Sequence, residues 1–319
     1  MRYSRQVALT EIGRDGQKKL TGSSVAIIGV GALGSCSAEL LARAGIGRLI
    51  LVDDEKVELS NIQRQCLFDE KDIGKLKVSV AEKKLALINS GIEVESYDAR
   101  LNEGNLDLLD CDLIIDATDN IGSRLLISSY AYAHSIPFIF GSVVQTRGMM
   151  FVSHEGPCLG CIIGDAVSES DCTSSGIINT IPPMIASLQV TEAIKMLTGH
   201  PASRDLMILD VWKGELSRIK VKKRPGCPVC GADKFGFTVE RCKTKAAYSA
   251  RPLKSQKLDL DSIKKRFKVV METPMLLVID EHGEIIVHRH GELMFKALDD
   301  VRKIRDISER IYRVGVHGA

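Results

Sequence analysis

A rhythm running from residue 24 to residue 118 limits what this chain can fold into more than any other feature. Short runs rich in Val, Ile and Leu ("SVAIIGV", "RLILVDD", "IEVESYDA", "CDLIIDATD") alternate with stretches of helical periodicity, expected over 34–44 and 76–89. Strands that are apolar on both faces need cover on both faces, which helices crossing over a parallel sheet supply. The expected class is α/β, doubly wound. The rhythm continues through "SYAYAHS" and "IPFIFGSVV", and "RGMMFVSH" and "LMILDVWKGELSRIKVKK" then read as further strands in antiparallel hairpins. Pro182 and Pro183 open an apolar helix that Gly199 is placed to end.

Where the first run stops, "GVGALG" sets Gly29, Gly31 and Gly34 in a G-x-G-x-x-G pattern between a strand and a helix. Backbone N–H groups and the helix dipole can receive a phosphate there. The next strand ends in Asp53, about twenty residues on, where a carboxylate can accept hydrogen bonds from a ribose. A dinucleotide, a mononucleotide and a simple packing turn all remain compatible with this much. The segment "LSNIQRQ" separates them, because Asn61, Arg64 and Gln65 follow Asp53 closely and Lys77 comes next in "GKLK". Cations converging on one nucleotide suit a triphosphate, whose developing charge must be neutralised during transfer. "DATDN" adds Asp116, Asp119 and Asn120, residue types that hold a Mg²⁺ shared with phosphates. The expectation is an ATP site, with a nicotinamide dehydrogenase as a disfavoured rival.

Nine cysteines, an odd number, without an export signal argue against a disulfide framework. Four fall in two C-x-x-C pairs, Cys158 with Cys161 and Cys227 with Cys230, and 65 residues separate the pairs. The glycines and proline of "GCPVCG" suit a zinc knuckle, while the long separation leaves a shared site and two separate pairs both open. With 43 basic and 41 acidic side chains, no global field argues for nucleic acid. No apolar run approaches the ~18 residues of a membrane span, and the charged start carries no apolar leader, so a cytoplasmic protein is expected.

The length fits about two domains. After "RPGCPVCG" the composition shifts, with ten Lys or Arg against two Asp over 241–268. Strand-like "METPMLLVID" and "GEIIVHRHG", joined by the turn "EHG", and a charged helix in "ALDDVRKIRDISERIY" follow. A small α+β domain over 236–319, after a first domain over 1–235, is the reading. The Ser-rich stretch between Cys161 and Pro182 is long enough to be functional or mobile.

"RYSRQ", "GVGALG", "LSNIQRQ", "GKLK", "TDN" and the two C-x-x-C pairs, in this order, resemble the ThiF/MoeB/HesA family, relatives of the ubiquitin-activating enzymes, over roughly residues 1–231. The resemblance implies a Rossmann-like sheet whose site uses ATP to adenylate the C-terminal glycine of a small ubiquitin-like protein. That partner is usually a sulfur carrier ending in Gly-Gly, with a cysteine desulfurase as a possible sulfur donor. By resemblance, ATP contacts fall on Gly29, Gly31, Ala32, Gly34, Asp53, Glu55, Ser60, Asn61, Gln63, Arg64, Lys77, Asp119 and Asn120. Asp119 would place Mg²⁺, the four paired cysteines would hold a structural Zn²⁺, and Arg5 would reach the site of the other subunit in a homodimer.

The sequence departs from the family pattern at Ala32, usually glycine, at Glu55, usually aspartate, and at Gln145, usually arginine, with Arg147 nearby. Cys172 in "SDCTSSG" resembles a loop cysteine able to attack an acyl-adenylate or thiocarboxylate. Asp171 precedes it where the family has threonine, and a carboxylate there disfavours a thiolate, so a spare loop cysteine stays open. Cys36, Cys66, Cys111 and Cys242 read as small core residues. His288 and His290 read as an exposed strand face with metal binding open, and the basic segment as a solvated face rather than a tRNA surface. Rival functions are adenylation of a small-molecule or tRNA carboxylate and a non-catalytic docking scaffold. The combination of Arg5, Arg64 and Lys77 argues against the scaffold.

Overall fold

The structure, a computed structural model, describes residues 2–163, 176–224, 227, 229–230, 237–241, 248–252 and 257–316. The chain divides into two compact units, Met1–Cys230 and Gly231–Ala319, a few residues before the expected break.

In the first unit, helices α1 (Ser4–Val7) and α2 (Gly13–Thr21) lead into β1 (Ser24–Ile28), α3 (Ala32–Ala44), β2 (Arg48–Val52), α4 (Lys77–Ile88), β3 (Glu93–Tyr97) and β4 (Leu113–Asp116). Then come α5 (Ile121–Ala133), β5 (Phe138–Val144), β6 (Arg147–Ser153), α6 (Leu159–Ile163), α7 (Ile181–Thr198), β7 (Asp205–Asp210) and β8 (Glu215–Lys220). The eight strands form one sheet in the order β3-β2-β1-β4-β5-β6-β7-β8. The first five are parallel, and β6, β7 and β8 extend the sheet antiparallel, as the hairpin reading required.

Alternation along each central strand explains the two-sided cover. Val25 and Ile27 of β1 pack with Leu49, Leu51, Leu113 and Ile115 beneath α3, α4 and α7. Ala26 and Ile28 point the other way and pack with Ile50, Val52, Ile114 and Ile127 of α5. Helix α7 starts with prolines in its first turn and stops at Gly199, whose φ of 94° is the left-handed conformation that glycine adopts without a Cβ clash. Its buried Gln189 donates to the carbonyls of Asp116 and Ile139, 3.1 and 3.4 Å away, pinning α7 to the ends of two strands.

The second unit holds β9 (Phe237–Arg241), β10 (Tyr248–Pro252), α8 (Leu260–Lys264), β11 (Val269–Thr273), β12 (Leu276–Asp280), β13 (Glu284–His288), β14 (Leu293–Phe295) and α9 (Val301–Val316). Its antiparallel sheet runs β11-β12-β13-β14-β10-β9. "METPMLLVID", expected as one strand, is two. Pro274 has no N–H for a ladder, and the chain turns there while the Thr273 hydroxyl accepts from Leu276 N. Ile304, Ile307 and Ile311 of α9, at helical spacing, cover Leu277, Ile279, Ile285 and Val287. Among the described residues no helix is long and apolar enough to cross a membrane.

Candidate active site

The strand order reverses between β1 and β4, so the chain leaves their carboxyl ends in opposite directions and opens a crevice there. A cleft of about 820 Å³ occupies that position. Its floor is the loop between β1 and α3. Gly29 has φ 86°, and a Cβ on it would meet the Ala117 carbonyl oxygen at 2.8 Å. Gly31 caps α3, and Ala32 is the first helical residue. Gly34 does not line the cleft; a Cβ there would lie 1.8 Å from the Gly29 carbonyl oxygen, so its glycine serves the close packing of loop and helix.

Asp53 closes β2 beside this loop and accepts from Val30 N at 2.7 Å and Glu55 N at 2.8 Å. Burial raises its pKa, while Lys77 and the two N–H groups oppose the rise. Lys77 is the first residue of α4, 3% exposed, with Nζ 2.5 Å from Glu55, which is itself 65% exposed. A cation in the first turn works against the helix dipole by roughly 0.3–1 kcal/mol, so helix stability does not account for its position. Asn61, also buried, accepts from Glu58 N at 3.2 Å and closes a short turn over Leu59–Asn61 that presents Ser60 and Arg64 to the cleft. Arg64 Nη1 donates to the Ser60 carbonyl at 2.8 Å.

The wall opposite comes from the turn after β4. Asp119 is exposed at the cleft, and Asn120 lines it while capping α5 through Ser123 N at 2.7 Å. Asp116, grouped by sequence with the magnesium residue types, is fully buried instead. Its carboxylate accepts from Thr118 N and Oγ1 and stands 3.6 Å from Arg124 Nε. Burial, opposed by Arg124 and the Thr118 bonds, raises its pKa to about 6. It shapes the turn from below and presents no oxygen to a metal at the surface.

The structure thus gathers Gly29, Gly31, Ala32, Asp53, Glu55, Ser60, Asn61, Arg64, Lys77, Asp119 and Asn120 around one cleft. Gln63 is not among the lining residues and donates to the carbonyl of cleft-lining Ile177 at 3.1 Å. Arg5 lies exposed on α1 and is not among the lining residues. Gln145, at the departure from the family pattern, has φ 53° and pairs through its backbone with Gly176 and Ile178. The nearby Arg147 is engaged with Asp210 at 3.0 Å outside the cleft. Sequence reasoning missed Arg100 and Arg124, both cleft-lining. Arg124 carried a signal: it stands four residues after Asn120, one helical turn from the cap, which turns it back toward the strand end. Cys172 and Cys242 lie outside the described residues.

A second cluster forms where α6 begins. The thiols of Cys158, Cys161, Cys227 and Cys230 all lie within 4.8 Å of one another, at 3.5 Å for Cys158–Cys227 and 3.2 Å for Cys161–Cys230. Four thiolates ~2.3 Å from one tetrahedral zinc stand roughly 3.8 Å apart, so this donor set and spacing fit that ion. Backbone N–H groups of Cys230 and Val229 overcome burial to bring the Cys227 thiol down to about 7, and Arg224 N donates to Cys161 Sγ at 3.3 Å. The long sequence separation is closed by the fold. Among the described residues no other group of three or more His, Cys, Asp or Glu side chains meets in this way, and the His288 and His290 rings lie tilted by 33° with centroids 5.0 Å apart.

A doubly wound sheet with a glycine loop and a charged, carboxylate-bearing cleft at its switch point defines a nucleotide-binding α/β protein. The chain belongs to the ThiF family, whose profile matches residues 3–229. It is 34% identical to the sulfur carrier protein ThiS adenylyltransferase of Bacillus subtilis, across 96% of this chain and 97% of that one. It is 35% identical to the molybdopterin-synthase adenylyltransferase of Escherichia coli, across 72% of this chain and 96% of that one. In fold it is similar to E. coli MccB crystallised with ATP, with a TM-score of 0.62 and 23% identity across 72% of this chain and 74% of that one.

Proposed function

We propose that this chain uses ATP to adenylate the C-terminal glycine of a ubiquitin-like sulfur carrier protein, activating it for thiocarboxylate formation. The observation that carries the reading is the convergence of Lys77, Arg64, Asp53 and Asp119 on the glycine loop at the sheet's switch point. The named activities of the two curated relatives support it. A ThiS-type carrier is favoured, because the relative that aligns over both units is named for ThiS.

In this reading the phosphates lie on the N–H groups of the glycine loop and the N-terminus of α3, and the ribose faces Asp53. Glu55 shares the ribose end and yields Lys77 to the phosphates when they arrive. The carrier carboxylate, ionised at neutral pH, attacks the α-phosphate without a protein base. Arg64 and Lys77 hold the charge of the pentacovalent state and the departing pyrophosphate. Asp119 would hold a Mg²⁺, which would supply positive charge to offset that of the phosphates. Arg5 serves the site only across a homodimer, since its own cleft does not include it. The four-cysteine cluster leaves a zinc ion no open position, so its part is structural. Many free thiols suit a cytoplasmic setting, where a desulfurase can deliver sulfur.

Pyrophosphate exchange into ATP, measured with carriers ending in Gly-Gly and with the same carriers lacking the last glycine, tests the proposal. Exchange should need the intact terminus and disappear in Arg64→Ala. Exchange that ignores the terminus would overturn it.

A further inference from the structure

Gln65 directly follows Arg64, and the adenylation chemistry described above leaves its side chain without a part. It lines the cleft together with Gly31, Arg64 and Lys77, yet it is only 4% exposed. Its Oε1 is buried and has no hydrogen-bond partner among the described residues. Its Nε2 borders the glycine loop. Among the described residues, chain neighbours aside, it is the one heavy atom within 4 Å of the point where a Cβ on Gly31 would stand, at 3.7 Å. The space over Gly31 is therefore open, with an amide at its edge.

Neither packing nor backbone geometry asks for glutamine here. A buried carboxamide whose oxygen is unpaired costs stability that an apolar side chain of similar length does not. The backbone of Gln65 donates to the Asn61 carbonyl and accepts from Phe68 N, contacts that other residue types make equally well. A ligand explains the choice. Gly31 caps α3, whose first-turn N–H groups have no partner within the helix and suit an anion. An oxygen of that anion lying over Gly31 comes within reach of Nε2, and the soft last torsion of glutamine lets an amide N–H be aimed at it.

We propose that Gln65 is a phosphate-binding residue of the nucleotide site, its Nε2 donating to a phosphate oxygen seated over Gly31. This assignment rests on the nucleotide reading above and adds a neutral donor to its cations. Lys77 is a point charge that attracts from a distance, whereas an amide contributes only at hydrogen-bond range and so fixes where the oxygen lies.

The full chain and its Gln65→Met variant are compared by thermal unfolding and by titration with a fluorescent ATP analogue, against which ATP and adenosine are then competed. Methionine keeps the length of the side chain and removes the amide. The melting temperature should equal or exceed that of the native sequence, because the unpaired buried oxygen is gone. Affinity for ATP should fall at least about tenfold, the worth of a hydrogen bond to a charged acceptor, while adenosine, which has no phosphate, should bind as before. An amide with a merely structural role gives a different pattern. A lower melting temperature with equal losses for ATP and adenosine would overturn the assignment. Gln65→Glu, nearly identical in shape, sets an anion against the phosphates and should also weaken ATP while sparing adenosine. Native ATP affinity in either folded variant refutes the role of Gln65 and leaves the nucleotide reading standing. Native protein that binds no ATP refutes that reading, and the role of Gln65 with it.

Discussion

Replacing Gly34 by alanine adds one methyl group at the third residue of α3, outside the cleft. Two effects oppose each other. Alanine favours the helix by up to ~1 kcal/mol over glycine. Its Cβ, however, would stand 1.8 Å from the Gly29 carbonyl oxygen and 2.9 Å from its carbon, and both are backbone atoms that no rotamer change can move. Helix and loop must separate by more than ~1 Å before the contact becomes tolerable, a strain of the kind that costs about 1–3 kcal/mol in a packed core. Gly29 in turn lies against Ala117, so the shift is passed to the turn bearing Asp119. The clash outweighs the helix gain, and Gly34→Ala should lower stability by roughly 1–2 kcal/mol and nucleotide affinity by about a hundredfold. Gly122→Ala is the control, since its Cβ meets nothing nearer than Asn120 Oδ1 at 3.7 Å, and it should be neutral or stabilising. Urea unfolding and calorimetric titration with a non-hydrolysable ATP analogue measure both quantities. Wild-type affinity in Gly34→Ala would refute the claim that this contact sets the loop.

Lys77→Met keeps the buried stem and removes the charge, while Glu55, already well exposed, can turn to water; the melting temperature should change little and ATP affinity should fall at least about tenfold in titration. Cys227→Ser should reduce bound zinc, counted by elemental analysis, and destabilise the first unit by several kcal/mol, an effect that a chelator reproduces on the native sequence. Asp116 has a pKa raised to about 6 in the folded chain against an ordinary value near 3.8. The folded state therefore holds its proton longer, and this residue's contribution to stability is fully present below pH ~4 and lost as pH rises through ~6. Asp116→Asn should flatten that part of the profile, by on the order of 3 kcal/mol at most, and unfolding of both proteins at a series of pH values checks the sign.

What the sequence determined on its own was periodicity and local chemistry. Strand runs apolar on both faces demanded a doubly wound sheet. The glycine loop, Asp53, Arg64 and Lys77 were legible because their residue types and spacings suit phosphates whatever surrounds them. Proline and glycine marked both ends of α7 for the same reason, since their effect is confined to their own backbone. The tertiary structure decided whatever depends on distance between segments remote in sequence. It closed two C-x-x-C pairs into one four-thiol cluster, and it buried Asp116 under Arg124 while leaving Asp119 at the surface, a distinction invisible in "DATDN". It put Arg64 at the cleft and spent Gln63 on the Ile177 carbonyl, although they are neighbours in the chain. It left Cys66 exposed on a loop against Ser35 of a helix, where the sequence suggested a small core residue. Spacing along a chain predicts neighbours within one turn of helix or one strand, whereas contacts between elements follow from how the whole sheet packs.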